Sequence, residues 1–566
     1  MMNVEMQKNQ KISSFWSEFI PKSWMFLSGN YSWNFFKHDL IAGVTVGIVA
    51  LPLAMAFAIA AGLTPQAGLY TAVIAGFLIS LLGGSRFQIG GPTGAFVVII
   101  YDVVQKRGYE GLVAVTLIAG VILLIAALSR LGGLIKYVPY PLISGFTTGI
   151  AVIIFSSQVK DFFGLKLEHL PADFIPKWNA LLTALPTFDY LTSAVALGTL
   201  TSIIIIRRFF PKIPWGITSV VLATVVTSGL HLPIETITTR FGEIQRVFPL
   251  PSLPQLSFSW LEWKGLFSSA VTIAFLAGIE SLLSAIVADG MAGTRHRPNC
   301  ELMAQGIANI GSVICGGIPA TGALARTATN IKTGAKTPIA GMIHAATLLI
   351  IILAFAPIVS QISLAALAAV LFMVAWNMSE IDHFVHMFKA PKADIAILLT
   401  TFLLTVLVDL TVGVAAGMIL AVFLFMKRMG EISGIASISS EQELVEESKE
   451  MIDVKTIPTG VEIYEITGPF FFGVADSLKS VLSNMERPPT IFILRMRKVP
   501  VIDASGMHAL KEFYHKCHKD GTILLLSGVN KRVFDKLRTF GVVDLIQATH
   551  IFPDIDTALR YASKCY

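Results

Sequence analysis

Two ionisable residues lie inside long apolar stretches that otherwise carry almost no charge: Glu280, in Ala277-Gly278-Ile279-Glu280-Ser281, and Arg326. Charged side chains are costly in a hydrocarbon core, so one retained there is by default a functional candidate. A carboxylate at Glu280 can carry a coupling proton, help coordinate a cation, or simply hold a neighbouring helix by a hydrogen bond. A guanidinium at Arg326 offers fixed positive charge and a planar fork of donors suited to an oxyanion. Its structural alternative is an ion-paired or snorkelling arginine at a helix end.

Arg326 follows the run Cys315-Gly316-Gly317-Ile318-Pro319-Ala320-Thr321-Gly322-Ala323, and a similar run, Phe87-Gln88-Ile89-Gly90-Gly91-Pro92-Thr93-Gly94-Ala95, occurs earlier. A proline after flexible glycines starts a half-helix inside an apolar segment. The first N–H groups of that half-helix have no intrahelical partner and carry the positive end of its dipole. Two such N-termini facing each other make an anion site without a full charge. Irregular backbone at membrane depth is tolerated only where protein covers it or it lines a cavity. Read alone, each break is equally a packing kink; the pairing favours a site.

These motifs need spans to position them. Ile41 to Ser85 contains no charged residue and is broken only near Gly62-Leu63-Thr64-Pro65. A crossing helix needs about 20 apolar residues, so this stretch predicts two spans. Further spans are expected near 92–105, 111–129, 140–157, 187–206 and 214–230. A second set is expected near 267–288, 302–316, 320–331, 337–357, 361–377, 393–408 and 410–426. Each broken motif is the third segment of a set of seven. An odd number of crossings inverts the second set relative to the first, and paired interrupted segments in inverted repeats point to a secondary transporter.

Charge and composition support this layout. Of 566 residues, 54% are hydrophobic and 14% charged, too few charges for a soluble surface of that size. A soluble enzyme, a disordered scaffold and a nucleic-acid-binding module are thereby excluded. The net charge of +6 fits a positive-inside bias. With the N-terminus inside, even-numbered spans exit at Arg86, Arg130 with Lys136, Arg207 with Arg208 and Lys212, Arg295 with Arg297, Lys332 with Lys336, and Lys389 with Lys392. The opposite loops are nearly uncharged or mixed, as in 158–189. Both termini are therefore expected in the cytoplasm.

The expected organisation is an N-terminal segment at 1–40, a membrane domain at 41–430, a polar linker at 431–457 and a small cytoplasmic α/β domain at 458–566. Strand-like runs at Val461-Ile466, Ile491-Leu494 and Thr522-Leu526 alternate with amphipathic stretches at 474–486, 506–519 and 530–540. Cys300, Cys315, Cys517 and Cys565 are far apart, with no CxxC or histidine cluster, and predict neither disulfide nor metal site. No cofactor is expected. Asp289, near a cytoplasmic exit, and Asp409, between the last two spans, read as structural; His344 is assigned no role.

Leu51-Pro52-Leu53-Ala54-Met55-Ala56-Phe57-Ala58, Pro65-Gln66-Ala67-Gly68-Leu69-Tyr70, Gly84-Ser85-Arg86, Gly91-Pro92-Thr93 and Thr333-Gly334-Ala335-Lys336-Thr337 together resemble the signature of the SulP anion transporters. The tail, with Val501-Ile502-Asp503-Ala504-Ser505-Gly506, resembles a STAS domain. The resemblance covers nearly the whole chain. It implies a core and a gate domain, each built from both repeats, moving as an elevator, and a homodimer in the inner (plasma) membrane. It implies a pocket lined by Phe57, by Thr93, Gly94 and Ala95 of the first broken helix, and by Gly322, Ala323, Leu324, Ala325 and Arg326 of the second. Glu280 matches the acidic position linked in relatives to H+ or Na+ coupling. Leu53 departs from the glutamine that many relatives place there.

Ile279-Glu280-Ser281, Asp289-Gly290-Met291 and Trp376-Asn377-Met378-Ser379-Glu380 resemble the C4-dicarboxylate branch; other branches are associated with bicarbonate and sulfate. All three are oxyanions that two helix N-termini and an arginine can hold. Ser505 corresponds to a serine phosphorylated in antagonist proteins, while Ala504-Ser505-Gly506 also suits a simple helix cap, the reading favoured here. A cytoplasmic partner for the STAS domain is a further implication. Two other readings stay open: a nucleobase–cation symporter of the same architecture, and a membrane-anchored signalling protein in which STAS does the work.

Overall fold

A computed structural model describes residues 17–27, 31–167, 170–211, 213–251, 260–437, 457–483 and 488–565. It divides into two compact units, Met1–Ile419 and Leu420–Tyr566.

The first unit and the helix that leaves it contain the fourteen expected segments. They are Trp33–Ala60, Pro65–Leu82, two within Gly94–Leu128, Tyr140–Phe163, Tyr190–Phe209, Trp215–Gly229, Trp260–Ala292, Pro298–Ile314, Leu324–Lys332, Ile339–Ser360, Leu364–Ser379, Lys392–Leu407 and Leu410–Ile432. Among the described residues nine helices are long and apolar enough to cross a membrane by themselves. Local chemistry sets the breaks. Gly62 takes a left-handed φ of 78° and Pro65 opens the next helix at its first position, where its missing N–H costs nothing. Gly108, at φ 66°, interrupts the Gly94–Leu128 run between the third and fourth segments.

The helices sort into two bundles, each drawn from both halves of the chain. In one, Pro298–Ile314 packs on Gly94–Leu128 and Pro65–Leu82, while Ile339–Ser360 packs on Trp33–Ala60 and Pro65–Leu82. In the other, Tyr140–Phe163 packs against Leu364–Ser379 and Lys392–Leu407. Small residues bring the helices close: a Cβ on Gly68 would lie 2.0 Å from the Ala54 carbonyl oxygen. Apolar side chains such as Ile205, Val225 and Ile358 stay exposed, as a lipid-facing surface requires.

The connections hold more structure than expected. Helix Phe174–Thr183 lies within 158–189, and helix Ile237–Phe241 lies within 231–266. The first long helix also begins at Trp33, before the expected 41, because Ser32 caps it by accepting from the Phe35 N–H at 3.3 Å.

The second unit carries a five-stranded sheet in the order Gly434–Ser437, Val461–Thr467, Ile491–Arg495, Ile523–Ser527, Ile551–Phe552. The first pair is antiparallel and the rest are parallel. Phe492 and Leu494 face a core with Leu510 and Phe513, whereas Ile491 and Ile493 face Leu559 and Ala562. Both faces are covered, which is why these strands are continuously apolar. The edge strand Gly434–Ser437 falls in what composition marks as linker; residues 438–456 of that linker lie outside the described residues.

Candidate functional site

The segments before the two broken helices pair with each other. Gly90–Gly91 and Thr321–Gly322 form a two-residue antiparallel ladder, Gly90 opposite Gly322 and Gly91 opposite Thr321. The Ala323 N–H extends it to the Ile89 carbonyl at 2.8 Å. This ladder brings together the helices that open at Gly94 and Leu324, whose N-caps are Thr93 and Ala323. Neither cap is satisfied by its own side chain, so the first-turn N–H groups keep free donor capacity.

Around these N-termini the two ionisable candidates meet. The Thr93 hydroxyl donates to Glu280 Oε2 at 3.0 Å. Arg326 Nη2 donates to the Pro92 carbonyl at 2.9 Å, while its Nη1 is buried and has no partner among the described residues. Gly91 is required here: at φ 154° a Cβ would lie 2.4 Å from Arg326 Nη1. Glu280 and Arg326 lie within electrostatic reach of each other. Phe57 closes one wall, its Cε1 lying 3.3 Å from where a Gly94 Cβ would sit; Ile154 Cδ1 and Met378 Sδ close others, at 3.0 and 2.9 Å. Leu324 and Ala325 are exposed whereas Thr93, Gly94, Ala95, Gly322, Ala323 and Arg326 are buried, so the site has one open side.

A polar scaffold unnoticed in the sequence holds the irregular backbone. Glu301 is buried and accepts four bonds: the Gly84 and Ser85 N–H groups at 2.9 and 3.0 Å on Oε2, and Gln305 Nε2 and the Ser281 hydroxyl at 2.9 and 3.2 Å on Oε1. Ser281 in turn accepts from Gln88 Nε2 at 2.6 Å. Asn309 pairs with both backbone groups of Ala320, and the Thr327 hydroxyl accepts from the Ile89 N–H. The available signal was the i, i+4 spacing of Glu301, Gln305 and Asn309 on one helix face.

Asp289 accepts from the Thr294 hydroxyl and the His296 N–H at 2.8 and 2.7 Å, closing the turn after its helix. Asp409 accepts from the Thr411 N–H at 2.6 Å, at the start of the last helix. His344 is buried beside Gly76 and lies within electrostatic reach of Arg326. In the STAS-like unit, Asp503 rather than Ser505 is the helix cap, its Oδ1 accepting from the Gly506 N–H at 2.8 Å. Ser505 is exposed in the first turn.

Two bundles built from both repeats, with paired half-helix N-termini between inverted halves, define a membrane transporter, not an enzyme. The chain belongs to the sulfate permease family: that family model matches residues 36–401, and a STAS domain model matches 452–558. It is 41% identical over 529 residues to YvdB, a candidate sulfate transporter of Bacillus subtilis, covering 93% of this chain and 98% of that one. It is 30% identical over 531 residues to the bicarbonate transporter BicA of Picosynechococcus, covering 89% and 91%. Among solved structures it resembles the transmembrane domain of a cyanobacterial BicA, with TM-score 0.60 at 31% identity over 69% of this chain and 98% of that one. The murine Slc26a9 anion transporter, in an inward-facing state, shares the fold with TM-score 0.85 at 19% identity, over 97% and 95%.

Proposed function

We propose that the chain is a secondary active transporter that carries a small oxyanion, of the sulfate, bicarbonate or C4-dicarboxylate class, coupled to H+ or Na+. The observation that carries this reading is Arg326. A buried guanidinium nitrogen without a partner costs free energy, and it sits between two helix N-termini whose donors are also unspent. An anion satisfies all three at once.

Glu280 supplies the coupling. An ionised carboxylate within reach of Arg326 competes with the anion for the same positive charge. A proton or Na+ at Glu280 removes that competition, so cation and anion binding assist each other, and by linkage the assistance is reciprocal. Thr93, bonded to Glu280 and standing at the N-cap position of the first half-helix, joins the two sites. Phe57, Gly94, Ala95, Gly322, Ala323, Leu324 and Ala325 form the remaining pocket. The two bundles are read as a core and a gate moving as an elevator in a homodimer of the inner membrane, with both termini cytoplasmic. Ser505 is read as a regulatory phosphosite, and the STAS domain, separately, as the docking unit for a cytoplasmic partner.

The test is uptake of labelled sulfate, bicarbonate and succinate into proteoliposomes with imposed H+ or Na+ gradients. Gradient-dependent accumulation of one of them is expected. Accumulation of uracil and none of the anions would favour the nucleobase symporter, whose site needs amide and acidic groups where this one has Arg326.

A further inference from the structure

A second cavity, of about 260 Å3, lies at the ends of helices Trp33–Ala60, Gly94–Leu128, Tyr140–Phe163 and Lys392–Leu407. By the distribution of basic exits this is the outer side. Its lining includes Val97 and Ile154, and Ile154 Cδ1 also lies 3.0 Å from the position of a Gly94 Cβ. One layer of side chains thus separates the cavity from the first half-helix N-terminus.

Lys177, from the connecting helix Phe174–Thr183, lines this cavity and is only 3% exposed. Its ammonium lies 5.9 Å from the Tyr101 ring centroid, and among the described residues it has no hydrogen bond or ion pair. The other charged groups there are spoken for. Asp102 pairs with Lys106 at 2.7 Å and Asp161 with Arg240 at 2.8 Å. Asp409 sits on the Thr411 N–H, and Lys160 Nζ donates to the Leu167 carbonyl at 2.6 Å. Asp173, one turn before Lys177, is the remaining acid on its own helix. Burial pushes the Lys177 ammonium down to about 8, against a smaller upward pull from the Asp173 carboxylate, as expected of a buried cation without a direct ion pair.

We propose that Lys177 forms an outer anion-binding station, which takes the transported oxyanion before it reaches the site at Arg326. This rests on the reading of the chain as an anion transporter. A buried cation without a salt bridge is a poor structural element but a good transient ligand. Tyr101 holds the ammonium by its ring face, and Gln105, Gln158 and Ser157 line the same cavity.

Right-side-out vesicles and proteoliposomes containing the full chain test this with labelled sulfate, bicarbonate and succinate. Lys177→Met should raise the outside KM about tenfold, equivalent to about 1.4 kcal/mol, with maximal rate and inside KM within about twofold. Lys177→Arg should restore it. The wild-type outside KM should climb between pH 7 and 9.5, and that of Lys177→Arg should not. An unchanged outside KM in Lys177→Met, or an equal change from both faces, overturns the station. A second readout does not need transport: an impermeant amine reagent applied at pH 8.5, with Lys177 modification read by mass spectrometry. Sulfate or bicarbonate should slow the reaction in both wild type and Arg326→Ala. Protection absent in both, or lost in Arg326→Ala, refutes the station; protection without any transport refutes only the transport reading.

Discussion

Thr93 and Glu280 are joined by a 3.0 Å hydrogen bond in which the hydroxyl donates to the carboxylate. They are 187 positions apart and come from different halves of the inverted repeat. One stands at the N-cap position of a broken helix and the other lies midway along a continuous one, so any change at the carboxylate is felt at that helix end.

Glu280→Gln keeps the shape and the acceptor for Thr93 but cannot ionise. It should abolish uptake driven by a cation gradient while leaving expression and detergent monodispersity at wild-type levels. Uptake at wild-type coupling stoichiometry would remove Glu280 from the coupling site.

Arg326→Ala removes both the proposed anion donor and the bond to the Pro92 carbonyl, whereas Arg326→Lys keeps charge without the fork. Anion affinity should fall at least tenfold in the first, about 1.4 kcal/mol, and recover only partly in the second. Equilibrium binding to purified protein measures this, and wild-type affinity in Arg326→Ala is the adverse outcome.

Glu301→Ala strands four donors in the interior, so the fold rather than the chemistry should suffer. A loss on the order of 3 kcal/mol is expected, seen as a lower melting temperature in detergent. Substrate affinity per folded molecule should stay unchanged.

Lys177 costs stability because burial outweighs the attraction of Asp173 and no ion pair forms among the described residues. Its value falls from 10.5 to about 8, so between those limits the folded state holds fewer protons than the unfolded. The cost, about 3 kcal/mol, is fully present below pH 8 and relieved as pH rises toward 10.5. Lys177→Met should therefore raise the melting temperature at pH 7, with a smaller gain at pH 10; no gain at pH 7 contradicts an uncompensated ammonium.

In the C-terminal unit, Asp503→Ala should cost about 1 kcal/mol by removing the helix cap, and Ser505→Ala should cost almost nothing. Equal losses in a denaturation series would place the cap at Ser505 instead.

Much of the fold was legible in residue order alone. Apolar runs of fixed length, glycine and proline at their ends, and basic residues at alternate exits depend only on local transfer energies and backbone stiffness. These produced the fourteen segments, the two broken helices and the α/β tail. The edge strand Gly434–Ser437 escaped because its four residues pair with Val461–Thr467, a partner beyond any local pattern. The connecting helix that bears Lys177 escaped because amphipathic character in a mixed loop does not reveal burial.

Glu280 and Arg326 were visible in the sequence because a charge in an apolar stretch needs a reason. Their relation was not. Whether Arg326 would snorkel, pair or wait for a ligand depends on what surrounds its two terminal nitrogens, and those neighbours arrive from Pro92 and Gly91 through the antiparallel ladder. Sequence determined which residues were costly to bury and where helices must break, since both are local free energies. Only the tertiary structure decided which donors and charges would be left unpaired, since pairing is settled by residues brought together across the two halves of the chain.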